Sequence, residues 1–299
     1  MRRLAAQPVT PGELQNSIER GRDRMLSSID PANNLIIGLP GVLARPEEQF
    51  APVEDVLWWF GDVDYVSYGK GRTDADAVIA EAVKLAHDAL ATGKTVTIVG
   101  LSLGAYFATY ARAALMSTDL YASMERLHLL LVDGPGGGDT LYAIPPKALR
   151  VAKAVTQLHL PKSLSYPKAM QVPPEPENIA VPAGLTPEQE VAYKEKVIAD
   201  ARTLLSKHEM TTFTSQVNWM AGAGWGNLPL GYLKGVDSTY IGNVSEKNNT
   251  VRQPDALKKW APHVRNPVIE VPTAHVALGE ERDLYRQLFL EQMTRIVNS

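Results

Sequence analysis

The chain has 299 residues, no cysteine and a formal net charge of −3, from 30 basic and 33 acidic side chains. This near-neutral charge argues against a protein that binds nucleic acid through phosphate contacts, because such proteins carry a basic patch or stripe. The lack of cysteine excludes disulfides, thiolate metal sites and cysteine nucleophiles.

Other classes are disfavoured by patterns that the sequence lacks. No run of 18 or more apolar residues is present, so we expect no integral membrane segment. No apolar signal-peptide core follows the first residues, and we take a cytoplasmic location as the default expectation. None of the six histidines is paired with another four residues away, so we expect no metal site.

Apolar runs alternate with amphipathic segments in the first half of the chain. Continuously apolar or β-branched runs predict strands covered by helices on both faces, and apolar residues at spacings of three and four predict helices. In chain order we predict a helix over 10–29, a strand over 34–38, a helix within 47–60, a strand over 64–68, a helix over 74–92, a strand over 95–100, a helix over 103–116 and a strand over 127–132. This alternation is typical of an α/β protein with a mostly parallel central sheet and flanking helices.

The alternation stops at a glycine-rich cluster, residues 134–138. The chain that follows is rich in proline, and its strongest helix signal is a capping box at Thr186–Gln189, which starts a helix predicted to run to about Lys207. A shorter helix is predicted over 211–221. Strands over 238–243 and 267–271 and a helix over 279–297 then resume the alternation. A length near 300 residues permits one large domain with an insertion. We therefore predict a core of residues 1–140 and 236–299, with residues 141–235 as an inserted, mostly helical cap.

Residues 100–104, Gly-Leu-Ser-Leu-Gly, form a G-x-S-x-G pentapeptide. The match is weak alone, but here a predicted strand ends at Gly100 and a predicted helix begins at Leu103. A serine at the apex of a strand–turn–helix is the nucleophile elbow of serine hydrolases, and the tight turn requires small neighbours. Without these flanks, Ser102 would be an incidental serine in a turn.

With this motif the chain resembles the α/β-hydrolase superfamily, over roughly residues 30–140 and 236–299. The resemblance implies a catalytic triad in which the nucleophile Ser102 is followed along the chain by an acid and then by a histidine. His275 lies where the superfamily places its base, between the last predicted strand and the last helix. His263 is the competing base, but it precedes that strand and would lie at the other end of the sheet.

The resemblance also implies an oxyanion hole made of two backbone N–H groups. Leu103, the residue after the nucleophile, supplies the first. Residues 38–41, Gly-Leu-Pro-Gly, resemble the His-Gly-x-Pro-Gly loop of many members, with Ile37 where histidine often stands. Leu39 then supplies the second N–H, because Pro40 has none.

The acid remains open at this point. In the superfamily it usually follows the strand before the last, but the corresponding segment, residues 245–251, has asparagine where aspartate is expected. Glu246 lies in this segment and could reach the base. Asp133 directly follows the strand predicted before the cap, where some lipases of the superfamily carry their acid, and Asp255 is a third choice. Position in the chain slightly favours Glu246 over Asp133.

The resemblance implies a serine hydrolase that cleaves a carboxylic ester through an acyl-enzyme, without a cofactor. Apolar side chains near the elbow and in the cap favour a small-molecule ester with a hydrophobic acyl or alcohol group. These residues are Tyr106, Phe107, Trp219, Met220, Trp225, Leu228, Leu230, Tyr232 and Leu233. Alternatives are an amidase or peptidase, a thioesterase or an acyltransferase with the same triad, and a non-catalytic hydrolase-fold protein that binds a ligand. We expect no nucleic-acid partner and leave the oligomeric state open.

Overall fold

The computed structural model describes a large part of the chain. The described residues are 2–3, 31–42, 44–69, 73–118, 121–136, 140, 186–196, 216, 219, 228–245, 251 and 253–298. The predicted helix over 10–29 and most of the predicted cap lie outside these residues. The division into core and cap therefore stays a prediction.

A parallel sheet forms the centre of the molecule. Its strands are β1 (Arg2–Arg3), β2 (Asn34–Leu39), β3 (Asp62–Tyr65), β4 (Thr95–Leu101), β5 (Leu127–Val132), β6 (Asp237–Asn243) and β7 (Ile269–Val271). Their order across the sheet is β1-β7-β6-β5-β4-β2-β3, and every pairing is parallel. The central strands β4, β5 and β6 are almost entirely buried, as expected for apolar strands with helices on both faces. The predicted parallel α/β architecture is confirmed.

Helices cover both faces of the sheet. They are α1 (Pro46–Phe50), α2 (Glu54–Trp58), α3 (Ala75–Ala91), α4 (Leu103–Leu115), α5 (Gln253–Trp260) and α6 (Arg282–Val297). One apolar cluster joins α3, α4 and α5 to one face, and a second joins α1, α2 and α6 to the other. Alternate residues of a strand serve the two clusters: Ile98 faces the first and Val99 faces the second.

Local sequence explains where several elements begin and end. The Asp74 side chain accepts a hydrogen bond from the Ala77 N–H at 3.1 Å and so caps the start of α3. Gly93 follows the end of α3 with φ of 92°, a left-handed conformation that glycine adopts without steric cost.

Several elements differ from the prediction. Strand β1 was not predicted, and β7 and α6 begin two and three residues after their predicted starts. The helix expected within 47–60 is divided into α1 and α2, because Pro52 has no N–H to continue the helical hydrogen bonds. Strand β3 begins two residues before the predicted strand and ends at Tyr65. Helix α5 was not predicted; its short apolar pattern, with Ala256 and Trp260 buried four residues apart, gives little signal.

Four parts of the predicted cap are described, residues 186–196, 216, 219 and 228–235. The predicted capping box is present, since the Gln189 N–H donates to Thr186 Oγ1 at 3.3 Å and the Thr186 N–H donates to Gln189 Oε1 at 2.9 Å. Residues 187–196 are helical. Farther along, Gln216 donates from Nε2 to Thr73 Oγ1 at 3.1 Å. The Gln216 contact attaches this part of residues 141–235 to the core.

The direction in which strands are added to the sheet reverses at one point. The chain passes from β2 outward to the edge strand β3, and then returns to place β4 on the other side of β2. In open α/β sheets, ligands bind at such a reversal, outside the carboxyl ends of the strands. The loops that follow β2 and β4 carry residues 40–41 and Ser102.

Candidate active site

Ser102 occupies a sharp turn between β4 and α4. Its backbone has φ of 51° and ψ of −110°, a conformation that residues with side chains rarely adopt. The turn leaves no room for side chains beside it: a Cβ on Gly100 would lie 2.6 Å from the Gly104 carbonyl oxygen, and one on Gly104 would collide with the Leu39 carbonyl group. The pentapeptide therefore forms the strained strand–turn–helix that its sequence indicates.

His275 lies in the turn that follows β7, directly beside the serine. Its Nε2 is 2.9 Å from Ser102 Oγ, a hydrogen-bond distance. Its other ring nitrogen, Nδ1, contacts Asp133 Oδ2. The side chains form a continuous chain from a hydroxyl through an imidazole to a carboxyl group. In this arrangement an imidazole can accept the serine proton.

Asp133 directly follows β5, and its side chain is completely buried. Besides His275, several N–H groups point at its two oxygens. Oδ2 accepts from Asn243 Nδ2 and from the Val276 N–H, both at 3.1 Å. Oδ1 accepts from the Asn243 N–H at 3.4 Å and from Gln253 Nε2. Each of these neighbours is a donor, and an ionised carboxylate, which only accepts hydrogen bonds, satisfies them all.

Left-handed backbone geometry is concentrated at this site. Among the described residues, the non-glycine residues with positive φ are Ser102 at 51°, Asp133 at 54° and Val276 at 46°. The first two are themselves members of the chain of side chains, and Val276 follows His275. Such conformations cost free energy and persist where the surrounding structure enforces them, most often at functional sites.

Of the other predicted acids and the other predicted base, only Asp255 and His263 lie within the described residues. Glu246 lies outside the described residues. Asp255 is in the first turn of α5, half-exposed, and its Oδ1 is 3.7 Å from Lys258 Nζ. His263 follows α5, where its backbone N–H donates to the Trp260 carbonyl oxygen at 2.9 Å.

The predicted oxyanion-hole residues flank the serine. Leu103 is the first residue of α4, and Leu39 is the last residue of β2, in register with Gly100 of β4. Whether their N–H groups receive an oxyanion stays a prediction.

Two side chains fix the loop that follows Leu39. The buried Tyr68 hydroxyl donates to the Pro40 carbonyl oxygen at 2.5 Å, and burial raises the pKa of this phenol. The Gly41 N–H donates to Gln49 Oε1 at 2.6 Å, while a Cβ on Gly41 would lie 3.4 Å from Ser102 Cβ. The loop is therefore held close to the serine.

The sequence analysis missed the residues that surround Asp133. Asn243 is the last residue of β6. A polar residue at the carboxyl end of a buried strand could have indicated a site residue, because ligands bind outside these strand ends in parallel sheets. Gln253 and Tyr285 gave no signal, since they lie 120 and more residues from Asp133 and come close to it only through the fold.

Among the described residues, no group of three or more histidine, aspartate or glutamate side chains could hold a metal ion. None of the described helices combines the length and the hydropathy needed to cross a membrane.

Comparison with known proteins identifies the architecture. No family model and no curated protein matches the sequence. Among solved structures, a hydrolase from Pseudomonas aeruginosa PA01 has a TM-score of 0.59 at 12% identity, covering 88% of this chain and 91% of that one. A thermophilic esterase from Thermogutta terrifontis has a TM-score of 0.57 at 14% identity, covering 90% and 92%. An enol-lactonase from Burkholderia xenovorans LB400 has 0.56 at 13%, covering 89% and 92%.

The structural similarity establishes the fold, but sequence identities this low leave the reaction open. The chain has the α/β-hydrolase fold, as the resemblance at the elbow implied.

Proposed function

We propose that the protein is a serine hydrolase that cleaves a carboxylic ester of a small molecule through an acyl-enzyme intermediate. The observation that carries the proposal is the contact chain from Ser102 Oγ to His275 Nε2, at 2.9 Å, and from His275 Nδ1 to Asp133. In this proposal Ser102 is the nucleophile, His275 the general base and Asp133 the acid. Glu246 is the competing acid.

In the first half-reaction, Ser102 Oγ attacks the ester carbonyl carbon while its proton moves to His275 Nε2. The carboxylate of Asp133 orients the ring and stabilises the imidazolium that forms. The negative charge on the carbonyl oxygen is held by the N–H groups of Leu39 and Leu103. When the tetrahedral intermediate collapses, the bond to the alcohol oxygen breaks and His275 returns the proton to the departing alcohol.

In the second half-reaction, a water molecule takes the place of the alcohol. His275 accepts a proton from the water as its oxygen attacks the acyl carbon, and the same N–H groups hold the second oxyanion. Collapse breaks the bond to Ser102 Oγ, which regains its proton from His275. The carboxylic acid leaves, and neither half-reaction requires a cofactor.

A hydrophobic acyl or alcohol group is the substrate feature that the surroundings favour. Phe107 lies in α4, five residues after the serine, and its ring centroid is 4.6 Å from that of Trp219. Trp219 also contacts the ring of Tyr110, with centroids 5.5 Å apart. In the proposed division, residues 141–235 form the cap and bring this apolar surface over the core.

The proposal is tested by covalent labelling with a fluorophosphonate, which reacts with activated serines. We expect stoichiometric labelling of the wild-type protein and none of Ser102→Ala. Ser67→Ala, which changes an exposed serine in the loop after β3, is the matched control and should label normally. Folded protein without Ser102-dependent labelling would exclude the serine-hydrolase mechanism.

Substrate assays then examine the bond type and the apolar group. We expect turnover of p-nitrophenyl esters to rise with acyl chain length beyond acetate, and to exceed turnover of matched p-nitroanilides and thioesters. A flat chain-length profile would contradict the hydrophobic substrate. Faster anilide or thioester cleavage would replace the esterase by an amidase or a thioesterase.

A further inference from the structure

We propose that Asn243 and Gln253 are positioning residues that hold the Asp133 carboxylate against His275, and that Tyr285 determines which end of the Asn243 amide faces it. The proposal rests on the proposed function, in which Asp133 is the triad acid. It assigns roles to residues from β6, α5 and α6 that the sequence analysis did not identify.

Asn243 bridges the acid and the loop of the base. Its Nδ2 donates to Asp133 Oδ2 at 3.1 Å and to the Ala274 carbonyl oxygen, next to His275, at 2.7 Å. Its Oδ1 accepts a hydrogen bond from the Tyr285 hydroxyl at 2.7 Å. An amide has one donor end and one acceptor end, so the phenol on Oδ1 forces the donor end toward the carboxylate. A reversed amide would place Oδ1 against the charged oxygen of Asp133.

Gln253 donates a hydrogen bond to the other oxygen of the Asp133 carboxylate. It is 2% exposed, and its Nε2 donates to Asp133 Oδ1. Its Oε1 lies 3.2 Å from the Tyr240 hydroxyl, which also donates to the Gly134 carbonyl oxygen at 2.6 Å. Each carboxylate oxygen is thus met by one side-chain amide, and the hydroxyl of Tyr285 donates to the oxygen of the Asn243 amide.

This arrangement suits an acid that must stay charged. The amide donors are neutral, so they hold the carboxylate without cancelling the negative charge that stabilises the imidazolium. Positioned donors of this kind cost little reorganisation when the imidazolium forms.

Besides His275, the described titratable groups that interact with the Asp133 carboxylate include the phenols of Tyr240 and Tyr285. Burial raises the pKa of Tyr240 and of Tyr285, and the nearby charge of Asp133 raises both further. Tyr106 lies near Tyr240, and Glu280 acts on Tyr285 from the turn before α6. The phenols therefore stay neutral near pH 7.

The deciding variant is Tyr285→Phe. It removes one hydroxyl, which in the wild type contacts Asn243 and Thr273 and neither Asp133 nor His275. We expect kcat for the best p-nitrophenyl ester to fall up to about tenfold, since the loss of one neutral hydrogen bond, here from Tyr285 to Asn243, has effects of this size, with KM within about twofold. A loosely held carboxylate stabilises the imidazolium less, so the apparent pKa of the base falls. The acidic limb of the kcat/KM profile should then move to lower pH.

Tyr65→Phe is the matched control, because it too removes one phenol hydroxyl that donates to a side chain, here to Glu54 Oε1 at 2.9 Å, on the far edge of the sheet. The Tyr285 hydroxyl contacts Thr273 Oγ1 at 3.2 Å in addition to Asn243. Tyr65→Phe should leave both kcat and the pH profile unchanged. Asn243→Leu, which removes the donor itself, should give a larger loss than Tyr285→Phe and a larger shift of the acidic limb. If Asn243→Leu does not fold, Tyr285→Phe alone decides.

NMR titration of the His275 ring provides a readout that requires no substrate. We expect its pKa to fall by about half a unit or more in Tyr285→Phe. An unchanged His275 titration and pH profile in folded Tyr285→Phe, even with lower thermal stability, would overturn the proposal and leave a structural role. If the wild type hydrolyses no ester but the His275 shift occurs, the proposed function fails while the positioning role stands.

Discussion

Replacement of Asp133 by asparagine tests the acid most directly, because the structure surrounds this carboxylate with donors. Oδ1 accepts from the backbone N–H of Asn243 at 3.4 Å, and Oδ2 accepts from the backbone N–H of Val276 at 3.1 Å. An asparagine must direct its own NH₂ at one of these positions. Side-chain amides could rotate to adapt, but a backbone N–H cannot, so one buried donor loses its acceptor in either orientation.

Two magnitudes follow for Asp133→Asn. An unsatisfied buried donor costs about 1–3 kcal/mol of folding stability. Loss of the negative charge removes the stabilisation of the His275 imidazolium, and amide replacement of a triad acid lowers kcat by about four orders of magnitude. That factor corresponds to about 5.4 kcal/mol of activation free energy. The two effects are separable, because the first is measured by urea unfolding and the second by turnover.

The assay compares p-nitrophenyl ester hydrolysis and fluorophosphonate labelling rates at neutral pH in folded protein. Glu246→Gln examines the competing acid, and Asp255→Asn is a control at an exposed carboxylate that pairs with Lys258. Both should retain nearly wild-type rates. The assignment of Asp133 is refuted if folded Asp133→Asn keeps more than about a tenth of the wild-type activity. It is also refuted if Glu246→Gln falls below about a tenth of that activity.

Two further predictions concern stability. The first is Asp237→Asn: burial raises the pKa of Asp237, but hydrogen bonds from His128, Asn266 and Arg295 outweigh burial and hold it well below its ordinary value. The carboxylate therefore stabilises the fold above the unfolded pKa of about 4 and loses this contribution as pH falls further. Asp237→Asn should lower the free energy of unfolding, measured in urea at pH 7, by about 3 kcal/mol relative to the wild type. This difference between variant and wild type should shrink below about pH 4, and a difference that does not depend on pH would contradict the prediction. The second is Gly104→Ala, whose Cβ would lie 2.6 Å from the Leu39 carbonyl carbon; it should lower the free energy of unfolding by about 3 kcal/mol or prevent folding. Gly231→Ala is the control, because a Cβ there meets open space and should be tolerated. Equal melting temperatures for the two variants would refute the steric argument.

Much of the fold could be predicted because its signals are local. Strands β4 and β5 and helices α3 and α4 were located to within one residue at each end, since continuous apolar runs and helical spacing are properties of neighbouring residues. Edge elements were harder. The residues of strand β3 are alternately exposed and half-buried, so its pattern of apolar residues is weaker than that of a buried strand. Its predicted position was therefore shifted by two residues at the start.

The sequence by itself determined the parts of the site that are contiguous or lie at a defined place in the chain. The elbow is five adjacent residues whose glycines are required by its own geometry, and His275 follows the last strand. The acid could not be chosen in this way, because the carboxyl ends of parallel strands converge and several carboxylates follow them.

Only the tertiary structure decided which carboxyl group meets His275. It buries Asp133 at the end of β5 and directs N–H groups from Asn243, Gln253 and Val276 at its oxygens. These groups lie 110 to 143 residues away along the chain. The energy that holds a buried charge comes from such distant donors, and no local pattern encodes them.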